Sequence, residues 1–339
     1  MTESPAELFA RLDDPHRTFL IAEIGANHNG DFDTALRLMD VAKTADADAV
    51  KFQSFLADEL TVRSDPNYAM LKGLELPREW YPRLKKAAGD RGLVFFSTAT
   101  NSTTLAWMRE LDCALYKIAS PNLNHLPLIR ETAAMGRPVI MSTGMAGLEE
   151  IDEAVKAFTD TGNRMLCLLH CVSLYPAPPE TINLRAIPAL QARYPFPIGF
   201  SDHTMDIATP VAAVALGARA IEKHLTLDRA QPGPDHHYAT EPEDFIRMGR
   251  HIRIVEQALG HADKRVNEQE RARRALNWRS LHAARDLESG HPLSAADLKV
   301  VRPNDGLHPR HFEEVVGRRL RYALRMDAPV RWEDLEGDA

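Results

Sequence analysis

AIEKHLTL, at residues 220–227, decides the fold. Side chains in a strand alternate faces, so Ile221 and Leu225 share one side while Glu222, His224 and Thr226 share the other. A strand with one apolar face, and a charged or ligating group at every inward position near its end, is unusual for a structural sheet. The pattern recurs upstream. In AVKFQSF (49–55), Val50 and Phe52 oppose Lys51 and Gln53; in LYKIAS (115–120), Tyr116 and Ile118 oppose Lys117 and Ala119. In PIGFSDHT (197–204), Ser201 and His203 lie opposite Phe200. Four further β-rich runs complete the set: TFLIAEIG (18–25), LVFFSTA (93–99), PVIMSTG (138–144) and LCLLHCVS (166–173).

Helical patterns separate these runs, among them DTALRLMDVAKTA (33–45), EEIDEAVKAF (149–158), IATPVAAVALG (207–217) and EDFIRMGRHIRIVEQAL (243–259). Eight alternations of strand and helix predict a parallel (β/α)8 TIM barrel over 17–260, near the size typical of that fold. A doubly wound open sheet is the competing class, but no GxGxxG turn follows the first run. The apolar strand faces then pack on helices, and the polar set converges at the C-terminal mouth. Charge placed there is costly unless paired or liganded. One internal ion pair, such as Glu23–Lys51, is a structural expedient; six or seven convergent polar strand ends predict an active site.

Past residue 260 the texture changes. Residues 261–279 are highly charged and read as a linker with helical character, and 280–336 as a second, small domain. The chain of 339 residues carries a net charge of −7, which excludes a nucleic-acid or anionic-membrane binder on bulk electrostatics. No apolar run spans a bilayer, and the polar, acidic start (MTESPAELFARLDDPHRT) does not read as a signal peptide, so a cytoplasmic location is expected. Cys113, Cys167 and Cys171 form no CxxC and are expected as buried, reduced thiols.

The chemical groups fall into two sets. Lys51 and Lys117, with Thr98, Ser120 and Ser201, make a natural cradle for a phosphate and a carboxylate on one small molecule. A lysine inside a barrel also suits a Schiff-base aldolase. His203 and His224 end adjacent strands and can share a divalent ion, with Glu23 nearby. Asp235, in the loop GPDHH, is placed for sugar hydroxyls, whereas His236 and His237 read as exposed loop residues. AEIGANHNG (22–30) closes the first strand with a tight turn at Asn27, His28 and Asn29.

AEIGANHNG, AVKFQSF, YKIAS, STGM, HCVSLYPAP, IGFSDHT and IEKHLTLD…PGPDH occur collinearly, and together they resemble the sialic acid synthase (N-acetylneuraminate synthase) family. Residues 280–336, with RPNDGL at 302–307, resemble that family's antifreeze-like SAF domain. The resemblance implies an enzyme, a transferase, that condenses phosphoenolpyruvate with an N-acetylmannosamine-type sugar and releases phosphate. It implies phosphoenolpyruvate contacts from Lys51, Thr98, Lys117, Ser120 and Ser201. It also implies Mn²⁺, with Mg²⁺ or Co²⁺ as alternatives, on His203 and His224, and sugar contacts from Gln53, Tyr175 and Asp235. Glu23 is placed near the metal and the aldehyde, and Arg302 reaches the N-acyl group across a domain-swapped homodimer.

Three positions depart from the family pattern. Ser120-Pro121-Asn122 stands where an acidic residue commonly follows the serine by two, STAT (97–100) where Ser-Thr-Pro-Phe is usual, and Ser173 where some members carry asparagine. An amide is no general base, so the resemblance leaves water activation to Glu23 and the metal. A non-catalytic sugar-binding relative is the remaining alternative.

Overall fold

The structure, a computed structural model, describes residues 3–337. It divides into two compact units, residues up to Gly260 and residues from His261 onward. The first is a closed barrel of eight parallel strands in chain order: β1 (Phe19–Gly25), β2 (Ala49–Ser54), β3 (Val94–Ala99), β4 (Tyr116–Ile118), β5 (Val139–Ser142), β6 (Leu166–Cys171), β7 (Ile198–Asp202) and β8 (Ala220–His224). All eight predicted runs are strands, and the four quoted helical patterns are helices at Phe32–Thr44, Leu148–Thr159, Ala208–Ala215 and Pro242–Leu259.

The outward strand faces pack on the helices in one continuous apolar core that includes Val50, Phe52, Tyr116, Ile118, Phe200 and Ile221. The lumen is layered. Its lower half is a separate apolar cluster of Phe19, Ile21, Ala49, Phe96, Leu115, Ile140, Leu169 and Ala220, and only the residues two further along each strand are polar. A core of that kind needs a floor. The N-terminal helix Pro5–Leu12 supplies it, burying Leu8 and Leu12 against the cluster. Ser4 caps that helix through a reciprocal bond with Glu7, and Pro5 takes the first-turn position where its missing N–H costs nothing. The polar, acidic start thus contributes a helix that closes the bottom of the barrel.

Behind the mouth, outside the lumen, β7 and β8 are tied by a buried ion pair: Lys223 Nζ is 2.5 Å from Asp202 Oδ2 and donates to Thr204 O at 2.8 Å. The second unit contains the helix Glu268–Asn277 and an antiparallel pair, β9 (Ser280–Ala283) with β10 (Leu298–Val301), around its own core of Leu281, Leu287, Leu293, Val315, Leu320 and Val330. The predicted linker is thus helical over half its length. Cys113, Cys167 and Cys171 are free and buried, as expected. Among the described residues no helix is long and apolar enough to cross a membrane.

Candidate active site

Strand register builds the site. Glu23 is paired in the sheet with Lys51 on one side and His224 on the other; Thr98 is paired with Lys117, and Ser201 with both Cys171 and Glu222. Glu23, Lys51, Thr98, Lys117, Cys171 and Glu222 each follow an apolar-layer residue by two, and His224 stands one inward step further along β8, so their side chains converge at the mouth. They open into a cavity of roughly 450 Å³, within the range of small-molecule sites. Its lining includes Glu23, Lys51, Gln53, Thr98, Lys117, Ser120, Asn122, Tyr175, Ser201, His203, His224 and Asp235. Every barrel residue predicted for the site is there except Ser173, which stands half-buried behind Gly144, with its Oγ 4.0 Å from Cys171 Sγ. Arg302 belongs to the second unit, where it is exposed and donates to Asn277 Oδ1 at 3.4 Å.

Four buried ions occupy the floor. Lys51 Nζ lies 3.0 Å from Glu23 Oε2, 3.7 Å from Glu222 Oε2 and 3.3 Å from Thr98 Oγ1. Lys117 Nζ lies 3.3 Å from Glu222 and donates to Ser142 Oγ. All three contacts to the Oε2 atoms have ion-pair distance without hydrogen-bond alignment, so Glu23 Oε2 and Glu222 Oε2 are buried without a hydrogen-bonding partner. Of its three N–H groups Lys51 donates one to Thr98, so its remaining donors suit an anion with several acceptor oxygens. Burial disfavours every charge here, and the partners decide the sign. For Lys51, Glu222 and Glu23 outweigh burial and raise the pKa; for Lys117 burial wins and the pKa falls. Burial lifts Glu23 above the usual carboxylate range against the pull of Lys51. Glu222 is held below that range because Lys117 and Lys51 together overcome its burial.

Across the cavity, the His203 and His224 rings stand 5.5 Å apart between centroids. His203 Nδ1 is 2.9 Å from Val172 O, which fixes that nitrogen as donor and leaves Nε2 as the free lone pair. Burial lowers the pKa of His224 and keeps its imidazole neutral; its Nδ1 faces Tyr238 Oη at 3.4 Å and Asp235 Oδ2 at 3.6 Å. Two adjacent imidazoles at the mouth fit a divalent cation completed by water or substrate oxygens. Among the described residues no third His, Cys, Asp or Glu completes a metal-binding group, so Glu23 does not join the pair.

Gly25 closes β1 beside this wall. Its φ is +52°, and a Cβ there would lie 3.2 Å from Asp235 Oδ2 and Gln53 Nε2 and 3.3 Å from Glu23 Oε1, so three site residues converge on the space a side chain would fill. Gln53 Nε2 in turn donates to Glu23 Oε1 at 2.8 Å.

Four residues at the mouth escaped the sequence reading. Glu222 was seen to face inward but was given no role in the site. Ser142, Cys171 and Tyr238 line the cavity from β5, from β6 and from the loop after β8. One expectation is corrected. His236 is not an exposed loop residue: it is 1% exposed, with Nδ1 2.7 Å from Thr226 Oγ1 and Nε2 3.0 Å from Asn29 Oδ1. It staples the β8 loop to the turn after β1. His237 is exposed as expected.

A closed barrel whose mouth gathers two buried lysines, two carboxylates and a histidine pair around one cavity defines an enzyme with its active site at that mouth. The chain belongs to the NeuB family: that family's model matches residues 38–264, and the SAF domain model matches residues 279–336. It is 38% identical to the N,N'-diacetyllegionaminic acid synthase of Legionella pneumophila, over 94% of each chain. It is 33% identical to the pseudaminic acid synthase of Campylobacter jejuni, over 94% of this chain and 97% of that one. Among solved structures, the N-acetylneuraminic acid synthetase of Leptospira borgpetersenii superposes with a TM-score of 0.72 at 35% identity, covering 76% of this chain and 90% of that one.

Proposed function

We propose that this protein condenses phosphoenolpyruvate with an N-acylated amino sugar of the mannosamine type, giving a nonulosonic acid and inorganic phosphate. One observation carries the reading: two buried lysines, each with N–H donors turned to the cavity lining, face a histidine pair across a single cavity. The relatives named above, synthases of this chemical class, support it.

Lys51 and Lys117, with Thr98, Ser120 and Ser201, bind the carboxylate and phosphate and fix the enol carbon C3 toward the sugar. Gln53, Tyr175 and Asp235 orient the sugar so that its aldehyde carbon meets C3. His203 and His224 would hold the divalent cation, Mn²⁺ by preference, which when bound supplies Lewis acidity at the aldehyde oxygen. The new bond forms between C3 and the aldehyde carbon; water adds at C2, and the C2–O bond to phosphate breaks. Glu23, a buried carboxyl with a raised pKa, is the group placed to take the proton of that water, since Asn122 cannot. The apolar side chains Met145, Leu174 and Met205, exposed on the loops after β5, β6 and β7, with Leu148 at the start of the helix that follows β5, favour a second copy over the mouth. Arg302 of that copy would then reach the N-acyl group in a swapped dimer.

Phosphate release from enzyme, phosphoenolpyruvate, Mn²⁺ and a panel of 2-acylamino sugars tests the reading, and EDTA should abolish it. The depressed pKa of Lys117 supports one second reading, a Schiff-base aldolase. Borohydride trapping of a lysine adduct, with full activity in EDTA, would establish that alternative instead.

A further inference from the structure

His203 and His224 follow neighbouring strands, yet the sheet does not join them. The ladder between β7 and β8 pairs Phe200 with Ile221, Ser201 with Glu222 and Asp202 with Lys223, and stops one residue short of both histidines. Beyond it, the carbonyl of His203 accepts from Ala177 N at 2.9 Å and that of His224 from Thr240 N at 2.8 Å. Each histidine is thus tied to a different loop, and neither bond sets the spacing between the two rings.

One ammonium bridges that gap from behind the cavity. Lys223, the residue before His224, is buried, and its Nζ donates to Asp202 Oδ2 at 2.5 Å and to Thr204 O at 2.8 Å. Asp202 and Thr204 are the residues on either side of His203. They are also bonded to each other: Asp202 Oδ1 accepts from Thr204 N at 3.0 Å, and Oδ2 from Thr204 Oγ1 at 3.1 Å. The result is a tight turn with His203 at its tip, gripped on both flanks by a group one residue from His224. A buried ion pair is often no more stabilising than apolar residues of the same volume, so its use at this point favours a geometric role over a stabilising one.

We infer that Lys223 is a positioning residue: anchored on Asp202 and Thr204, it sets the separation of His203 and His224 and through it the affinity of that pair for a divalent cation. This rests on the metal role proposed for the two histidines above. Lys223 touches neither ring and does not line the cavity, so its effect on the cation passes through the backbone of the two strand ends. Lys51, Lys117 and Thr98, which are proposed to hold phosphoenolpyruvate, stand on other strands and do not depend on it.

The test is calorimetric titration of the full-length, metal-free enzyme with Mn²⁺ and, separately, with phosphoenolpyruvate in EDTA. Lys223→Met should raise the Mn²⁺ Kd about 10- to 100-fold, the loss typical of removing a group that orients metal ligands, and move the phosphoenolpyruvate Kd by less than about twofold. Asp202→Asn combined with Lys223→Met leaves no unpaired charge, so it carries the test if the single variant does not fold. The double variant should still bind Mn²⁺ at least about fivefold more weakly than wild type, because no ammonium holds Thr204 O. A smaller loss in the folded double variant, or Mn²⁺ and phosphoenolpyruvate affinities falling together, would overturn the inference and leave the metal reading standing. No saturable Mn²⁺ binding by wild type, or undiminished binding by His203→Ala and His224→Ala, would overturn the metal reading and the inference with it.

Discussion

Lys223 and Asp202 hold the two histidines from behind. Each is the strand neighbour of a histidine, Lys223 before His224 and Asp202 before His203, and each faces away from the cavity. Their side chains are 2% and 0% exposed. Asp202 also accepts from Thr204 N at 3.0 Å and from Thr204 and Thr209 hydroxyls at 3.1 Å, so both oxygens of the carboxylate have protein donors. Lys223→Met keeps the volume and removes the ammonium. The carboxylate is then left buried with neutral donors only, which costs about 3–5 kcal/mol. For a unit of this size that corresponds to a fall of about 6–20 °C in Tm. The assay is urea unfolding followed by far-UV circular dichroism and by tryptophan emission, since Trp80 and Trp107 report on the barrel and Trp278 and Trp332 on the second unit. Asp202→Asn combined with Lys223→Met should recover more than half of the loss, because no unpaired charge remains. A single variant within about 1 kcal/mol of wild type, or no recovery in the double variant, would refute the claim that this pair is a charge buried at high cost.

Three further outcomes follow from the same geometry. Gly25→Ala imposes about 1–2 kcal/mol of left-handed backbone strain and pushes Asp235 and Gln53 apart, so kcat/KM for the sugar should fall about 100-fold while phosphoenolpyruvate affinity changes little; steady-state kinetics with each substrate varied checks this. Arg302→Ala should raise sugar KM about 10-fold or more with phosphoenolpyruvate binding unchanged by calorimetry, as expected for loss of a charge-assisted hydrogen bond. In the second unit, burial alone would raise the pKa of Asp297, but hydrogen bonds from Ser294, His291 and Arg285 outweigh it and lower it. A depressed carboxylate contributes stability above the ordinary Asp range and loses it as pH falls through the folded-state value. Asp297→Asn should therefore cost about 2 kcal/mol at neutral pH and much less in strong acid, read by the emission of Trp278 and Trp332.

Most of the barrel was legible because strand alternation has a period of two and leaves its mark in any order of elements. Lys51, Lys117, His203 and His224 could be placed at the mouth from parity alone. Parity does not say where along the lumen polarity begins, and that is why the apolar layer from Phe19 to Ala220 was missed. The floor helix was missed for a different reason. Leu8 and Leu12 are four apart on one helical face, yet the segment is so polar elsewhere that only a partner surface reveals their purpose. His236 depends on contacts with Thr226 and Asn29, the latter some two hundred residues away in the chain, which no local pattern encodes. Glu222 shows the limit of residue-type reasoning. A carboxylate between two lysines looks like an ion pair, and only the hydrogen-bond geometry, with Lys51 donating to Thr98, shows a lysine with donors left for a ligand.

Phosphoenolpyruvate labelled with ¹⁸O at the bridging C2–O position, incubated with enzyme, Mn²⁺ and the accepted amino sugar, tests the central claim in one mass-spectrometric measurement. The account predicts that the released phosphate carries the label, and that the new acid has the mass of sugar plus phosphoenolpyruvate plus water less phosphate, with no label. Label retained in the acid, or an acid formed equally well from pyruvate without phosphate release, would contradict it.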